Sequence, residues 1–190
     1  MFTQIIRKNG AVVIPLCLWF LGISFLLPTG VCSREAEEYA VKAAFVLNFV
    51  KVTTWPDNTF NDTPGIINLC LVGDDTLLAA TFQSIDGKEV GERRLRVHVT
   101  SPAGDCRGCE VFFVGNSIDH AYLLRFFAAL KERPVLIIGE TPDFARIGGI
   151  INFISKNGKL HFEINPQEVE RHGLKISSRI LQLATIVESD

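Results

Sequence analysis

Four apolar runs of strand length, at residues 66–72, 95–99, 111–114 and 135–138, constrain this chain more than any other feature. A strand wetted on one side alternates apolar and polar residues, whereas an unbroken apolar run needs cover on both faces. Helical segments follow several of the runs, at residues 76–82 and 118–131. This alternation predicts an α/β fold of three layers, a mainly parallel sheet with helices on both faces. Near the end, segments 149–155 and 159–165 flank Lys156-Asn157-Gly158. Asn-Gly between two strands is the strongest short hairpin signal, so the fold is expected to carry a C-terminal β-hairpin.

Two further helices are expected. Residues 35–53 hold Glu37 and Glu38 in the first turn and stop at Trp55-Pro56. Tyr39, Ala43, Val46, Leu47 and Val50 make one apolar stripe, with Phe45, Phe49 and Val52 beside it, an arc wide enough for deep burial. Asn48 is the odd polar residue there, for which a local hydrogen bond is expected. Ser177 is placed to cap a last helix running to about residue 187.

The N-terminus has the layout of an export signal. Arg7 and Lys8 precede an uncharged, mostly apolar run over residues 11–27, and Pro28, Thr29 and Gly30 break it before small residues near Val31-Cys32-Ser33. An uncleaved anchor is the alternative, but the run falls short of the ~20 residues a span prefers, and Pro15 and Gly22 weaken it. Val31 is too bulky to precede a lipidated Cys32. The expected product is a signal peptide over 1–33, removed on export, and one domain over 34–190. Losing Arg7 and Lys8 takes the formal charge from −2 to −4. A mildly acidic chain lacks the electrostatic footprint of a nucleic-acid binder, and a solvated strand face accounts for Lys88, Arg93, Arg94 and Arg96.

After removal of 1–33, Cys70, Cys106 and Cys109 remain, and three thiols leave one over. Cys70 lies in one apolar strand and Cys109 opens another, so a bridge between neighbouring strands is one reading. Cys106-Arg107-Gly108-Cys109 is also a C-x-x-C, the motif of thiol oxidoreductases, but there it opens a helix and here it precedes a strand.

Catalytic constellations are mostly absent from the sequence. Asp74-Asp75 at a strand end is similar to the acidic pockets that hold a cation in phosphotransfer receivers, but two adjacent carboxylates are a weak signal and an exported protein has little access to phosphodonors. His98, His120, His161 and His172 stand far apart without metal-ligand spacing, and there is no P-loop, G-x-S-x-G or G-x-G-x-x-G. No cofactor or metal is expected. His172, beside Gly173, is expected at a helix C-terminus, where a partly charged imidazole favours the dipole. Three strands end alike, at Gly73-Asp74-Asp75, Gly115-Asn116-Ser117 and Gly139-Glu140-Thr141. Carboxyl ends of strands form the ligand crevice of open α/β sheets, which makes Asp74, Asp75, Asn116, Ser117 and Glu140 a candidate ligand rim. The simpler reading gives the glycines tight turns and makes Asp75, Ser117 and Thr141 helix caps, with Pro142 in a first turn.

Val41-Lys42-Ala43-Ala44-Phe45-Val46-Leu47-Asn48-Phe49 with Trp55-Pro56, Gly73-Asp74 after the first strand, Gly148-Gly149-Ile150-Ile151-Asn152-Phe153, Phe162-Glu163-Ile164-Asn165, and residues 173–181 resemble, in order and spacing, the YfiR-like family of exported bacterial proteins. The resemblance covers about residues 36–187. It implies a non-enzymatic periplasmic repressor that engages the periplasmic part of an inner-membrane diguanylate cyclase, lowering cyclic di-GMP and biofilm formation. It also implies an outer-membrane lipoprotein that sequesters the repressor, a homodimer, and a disulfide between Cys70 and Cys109. Phe144 and Ile151 stand where some relatives carry a second cysteine pair. Partner contacts are expected from a C-terminal surface of Phe153, Glu163, Ile164, Leu174 and Ile176, although strand alternation also suits core positions for these side chains. The other functions weighed are a periplasmic small-ligand-binding or sensing module at the rim and, more weakly, a thiol oxidoreductase.

Overall fold

The alternation of runs resolves into a mixed eight-stranded sheet in a computed structural model that describes residues 30–100 and 108–189, with side chains from residue 34 onward. In chain order the elements are α1 (Gly30–Val52), β1 (Thr53–Thr54), β2 (Ile66–Val72), α2 (Thr76–Phe82), β3 (Glu89–Val90), β4 (Arg93–Thr100), β5 (Val111–Val114), α3 (His120–Leu130), β6 (Leu136–Gly139), β7 (Ile151–Lys156), β8 (Lys159–Ile164), α4 (Pro166–Arg171), β9 (Lys175–Ile176), α5 (Ser178–Leu181) and β10 (Thr185–Ile186). The order across the large sheet is β10-β8-β7-β6-β5-β2-β4-β3, and β1 and β9 form a separate antiparallel pair.

The expectation of a mainly parallel sheet is met in part, because the sheet is mixed. Its centre, β4-β2-β5-β6-β7, is parallel, but β7–β8 and β3–β4 are antiparallel. Short turns cause both reversals, since a two-residue loop cannot carry a chain back to the start of a parallel neighbour. Asn157 (φ 54°) and Gly158 (φ 72°) supply the two left-handed residues of the β7–β8 hairpin.

Alternate residues of the central strands serve two cores. Leu69, Leu71, Val111, Phe113, Leu136 and Ile138 pack with Ala43, Val46 and Phe49 of α1 and Leu78 and Phe82 of α2. Cys70, Val72, Phe112, Val114 and Ile137 pack with Leu123, Phe126, Phe127 and Leu130 of α3. All four residues of β5 and of β6 are buried, which is why those runs carry no polar residue. The Phe82 and Phe113 rings lie 4.7 Å apart, and burying a side chain of that size contributes roughly 1.5–3 kcal/mol.

Several local expectations are corrected. Asn48 is exposed and needs no protein partner. The helix expected from 118 begins at His120 because Ile118 is drawn into the core; Asp119, not Ser117, caps it by accepting from the Tyr122 amide at 2.8 Å. Thr141-Pro142 starts no helix: turns follow, and Phe144 is buried against the sheet. The last helix stops at Leu181 because Val187 is buried and its amide donates to Ile164 O at 3.0 Å, pulling the tail into β10 beside β8.

Candidate functional site

The carboxyl ends of β2, β5 and β6 lie side by side, so the structure brings the predicted rim together. Asp74, Asp75, Asn116 and Ser117 line one cleft of about 330 Å³ with Ile118, Asp119 and Tyr122. Asp75 caps α2, its Oδ1 accepting from the amides of Leu77 (2.8 Å) and Leu78 (3.0 Å). Its Oδ2 accepts from the Tyr39 hydroxyl of α1 at 2.7 Å. Glu140, after β6, turns away from the cleft into the same network. Its Oε2 accepts from Lys42 Nζ at 2.5 Å, and its Oε1 accepts from the Asn116 amide at 3.3 Å. Lys42 also reaches Glu38 Oε1 at 2.6 Å, one helical turn earlier.

Burial and pairing set the charges of this network. Burial would lower the Lys42 ammonium, but its bonds to Glu140 and Glu38 outweigh that and hold it above its ordinary value. Burial pushes the Glu140 carboxyl up against the pull of Lys42. Burial also acts to raise Asp75, yet the two amides and the Tyr39 hydroxyl overcome it and hold Asp75 below its ordinary value. Tyr39 is raised, first by burial and then by its bond to Asp75, so its hydroxyl stays protonated as a donor. The arrangement ties α1 to three strand ends. It holds charge in place, and it gathers no nucleophile beside a base. Among the described residues, no group of three His, Cys, Asp or Glu is placed to hold a metal ion.

The sequence reading missed Tyr39 and Lys42 as polar partners, placing Tyr39 in an apolar stripe. The available signal was local: Glu38 and Lys42 stand four apart on a helix, the spacing of an ion pair. Their distant partners Asp75 and Glu140 carried none.

The turn expected of the rim glycines is found at Gly73. Of the three, only Gly73 adopts a left-handed φ (141°). A Cβ on Gly139 would come within 2.5 Å of the Phe144 ring, and a Cβ on Gly149 would also collide with that ring. Gly139 and Gly149 therefore make room for a buried phenyl group rather than for a ligand.

Cys70 and Cys109 are joined in a disulfide, with Cα atoms 6.0 Å apart, and both are buried in the α3-side core. Cys109 is thereby committed to Cys70; Cys106 lies outside the described residues, as does almost all of the predicted export signal. Of the expected partner contacts, Phe153, Ile164 and Leu174 are buried in the α1-side core, where Phe153 meets Phe49 at 5.8 Å. They pack the protein's own interior instead of presenting a surface. Glu163 and Ile176 are partly exposed, and the Glu163 carboxylate accepts from Asn152 Nδ2 at 3.0 Å. His172 does end α4, but it is buried and donates from Nδ1 to Arg133 O at 2.7 Å. Burial holds its pKa below the ordinary value, so the imidazole is neutral at pH 7, which corrects the expected partial charge.

Among the described residues no helix is long and apolar enough to cross a membrane. A sequence-family model described as YfiR/HmsC-like matches residues 39–185, well over half of the chain, from within α1 to the first residue of β10. The chain belongs to the YfiR/HmsC-like family.

Proposed function

We propose that this YfiR/HmsC-like protein is a periplasmic regulator that binds the periplasmic part of an inner-membrane diguanylate cyclase and represses it, lowering cyclic di-GMP and biofilm formation. The family match over residues 39–185 carries this reading. Residues 1–33 are a signal peptide removed on export, and 34–190 form one working domain that acts as a homodimer and is sequestered by an outer-membrane lipoprotein. A disulfide between Cys70 and Cys109 suits an oxidising compartment. The protein acts by contact and is not an enzyme. It shifts the cyclase between active and inactive states only by binding one state more tightly. The docking face is the C-terminal one, where Glu163 and Ile176 are partly exposed and Leu183 (72 %) and Ile186 (51 %) stand out from the surface.

Deleting the gene is expected to raise cyclic di-GMP and biofilm mass, and complementation with the wild-type chain to restore both. Complementation with L183D is expected to fail although the protein is folded and exported. Unchanged cyclic di-GMP in the deletion strain overturns the proposal.

A second reading, a small-ligand-binding or sensing module, draws on the convergence of Asp74, Asp75, Asn116 and Ser117 on one cleft. It expects a soluble metabolite to raise the melting temperature by mass action, and to lose that effect in D74N/S117A.

A further inference from the structure

We propose that the cleft between the end of α1, β1 and the start of β4 binds a small organic carboxylate, an apolar body of a few carbons with one anionic group. The cleft has a volume of about 370 Å³, at the lower end of small-molecule sites. Val50 and Ile67 give it an apolar floor, and both are buried. Trp55 and Phe60 meet edge to face in its wall, with ring centroids 5.8 Å apart. The Arg93 guanidinium lies over Phe60, 4.2 Å from the ring centroid.

The hydrogen-bond accounting of this wall does not close. Trp55 Nε1 and Arg93 Nε are both buried, and neither has an acceptor. More than nine in ten buried polar groups in proteins find a partner, and an unpaired one costs the desolvation of that group. Here two unpaired donors belong to residues lining one cleft. Among the described residues Arg93 has no carboxylate partner, a property it shares with Arg34, Arg125 and Arg179. At the mouth, the exposed Lys51 and Asp57 offset each other and leave Arg93 as the net charge.

These features select the guest. Indole N–H and guanidinium are donors only, so the guest must bring acceptors. A guanidinium stacked on a ring by its face keeps its in-plane N–H groups for a carboxylate. The apolar floor adds nothing to the binding of a bare inorganic anion, and an amine would be repelled by Arg93. Both nitrogens are sealed from water, so the two side chains must shift for a guest to reach them.

The Trp55 indole N–H reports on this directly. The chain has two tryptophans, Trp19 and Trp55, and W55F assigns the resonance. Titrating the folded protein with phenylacetate is expected to move that signal downfield to saturation. R93M is expected to weaken binding at least tenfold, and phenethylamine, of similar shape but cationic, to leave the signal in place. Should R93M not fold, R93K keeps the charge without the fork and is expected to weaken binding severalfold. A still signal with phenylacetate, equal binding of phenethylamine or of inorganic phosphate, or unchanged affinity in the folded Arg93 variant would each overturn the proposal.

Discussion

The strand-end rim and the Trp55–Arg93 cleft are both polar regions set against the same α1-side core, yet they are finished differently. At the rim, the hydroxyl of Tyr39, the ammonium of Lys42 and the carboxylates of Asp75 and Glu140 all have partners within the chain. At the cleft, two buried donors have none. The contrast separates polar groups that hold the fold from polar groups left over for something else. Proximity to the carboxyl ends of strands, the usual guide to a site in α/β proteins, points to the rim. Hydrogen-bond accounting leaves the Thr141 hydroxyl unpaired at the rim but two donors unpaired at the cleft, and so points to the cleft.

The comparison is most easily broken by removing one half of the rim's ion pair. K42M leaves Glu140 buried without its counter-charge and is expected to cost about 3–5 kcal/mol in chemical denaturation. K42M/E140L should recover most of that loss, because an apolar pair needs no partner. If K42M unfolds at the wild-type denaturant concentration, the rim is not holding α1. R93M, by contrast, should change stability little, since Arg93 has no ion pair to lose.

Loss of the disulfide comes next. C70A/C109A unties β2 from β5 beneath the rim, and equilibrium unfolding is expected to show roughly 2–4 kcal/mol less stability. Addition of a reductant to the wild-type protein should reproduce the loss, and no loss under either treatment would mean that the two strands need no staple.

The smallest effect is one of pH. Asp75 is held below its ordinary carboxylate value in the folded state, so the unfolded chain binds its proton more readily. Its contribution is complete above the ordinary value of 3.8 and is lost as pH falls through the lower folded value. Denaturation midpoints measured from pH 6 to pH 2 should therefore fall less steeply at the acid end in D75N than in the wild type. Parallel acid limbs would sink this account of the cap.

β5 and β6 were legible because burial on both faces leaves an unbroken apolar run, whereas β4 alternates apolar and polar residues over 95–99 and is largely exposed. The hairpin was legible because Asn157-Gly158 allows little else. The edges were not. β10 is two residues of a stretch with helical composition, and its place is decided by Val187 and Ile164, which are distant in sequence. The rim glycines and Asp75 could be picked out from position alone. Tyr39 and Lys42 could not be linked to them, because their partners lie 36 and 98 residues away. Trp55 was read as the end of a helix and Arg93 as part of a solvated strand face; nothing local marks two donors as lacking acceptors.

Phe144 sits where hydrogen is the only substituent that fits at Gly139 and at Gly149. Positions 139, 144 and 149 thus form a single steric unit. A descendant with a smaller residue at 144 could take alanine at 139 or 149, whereas one that keeps the phenyl ring could take neither. Among homologues, these three columns should drift together, and engineering of the loop between them should treat them as one choice.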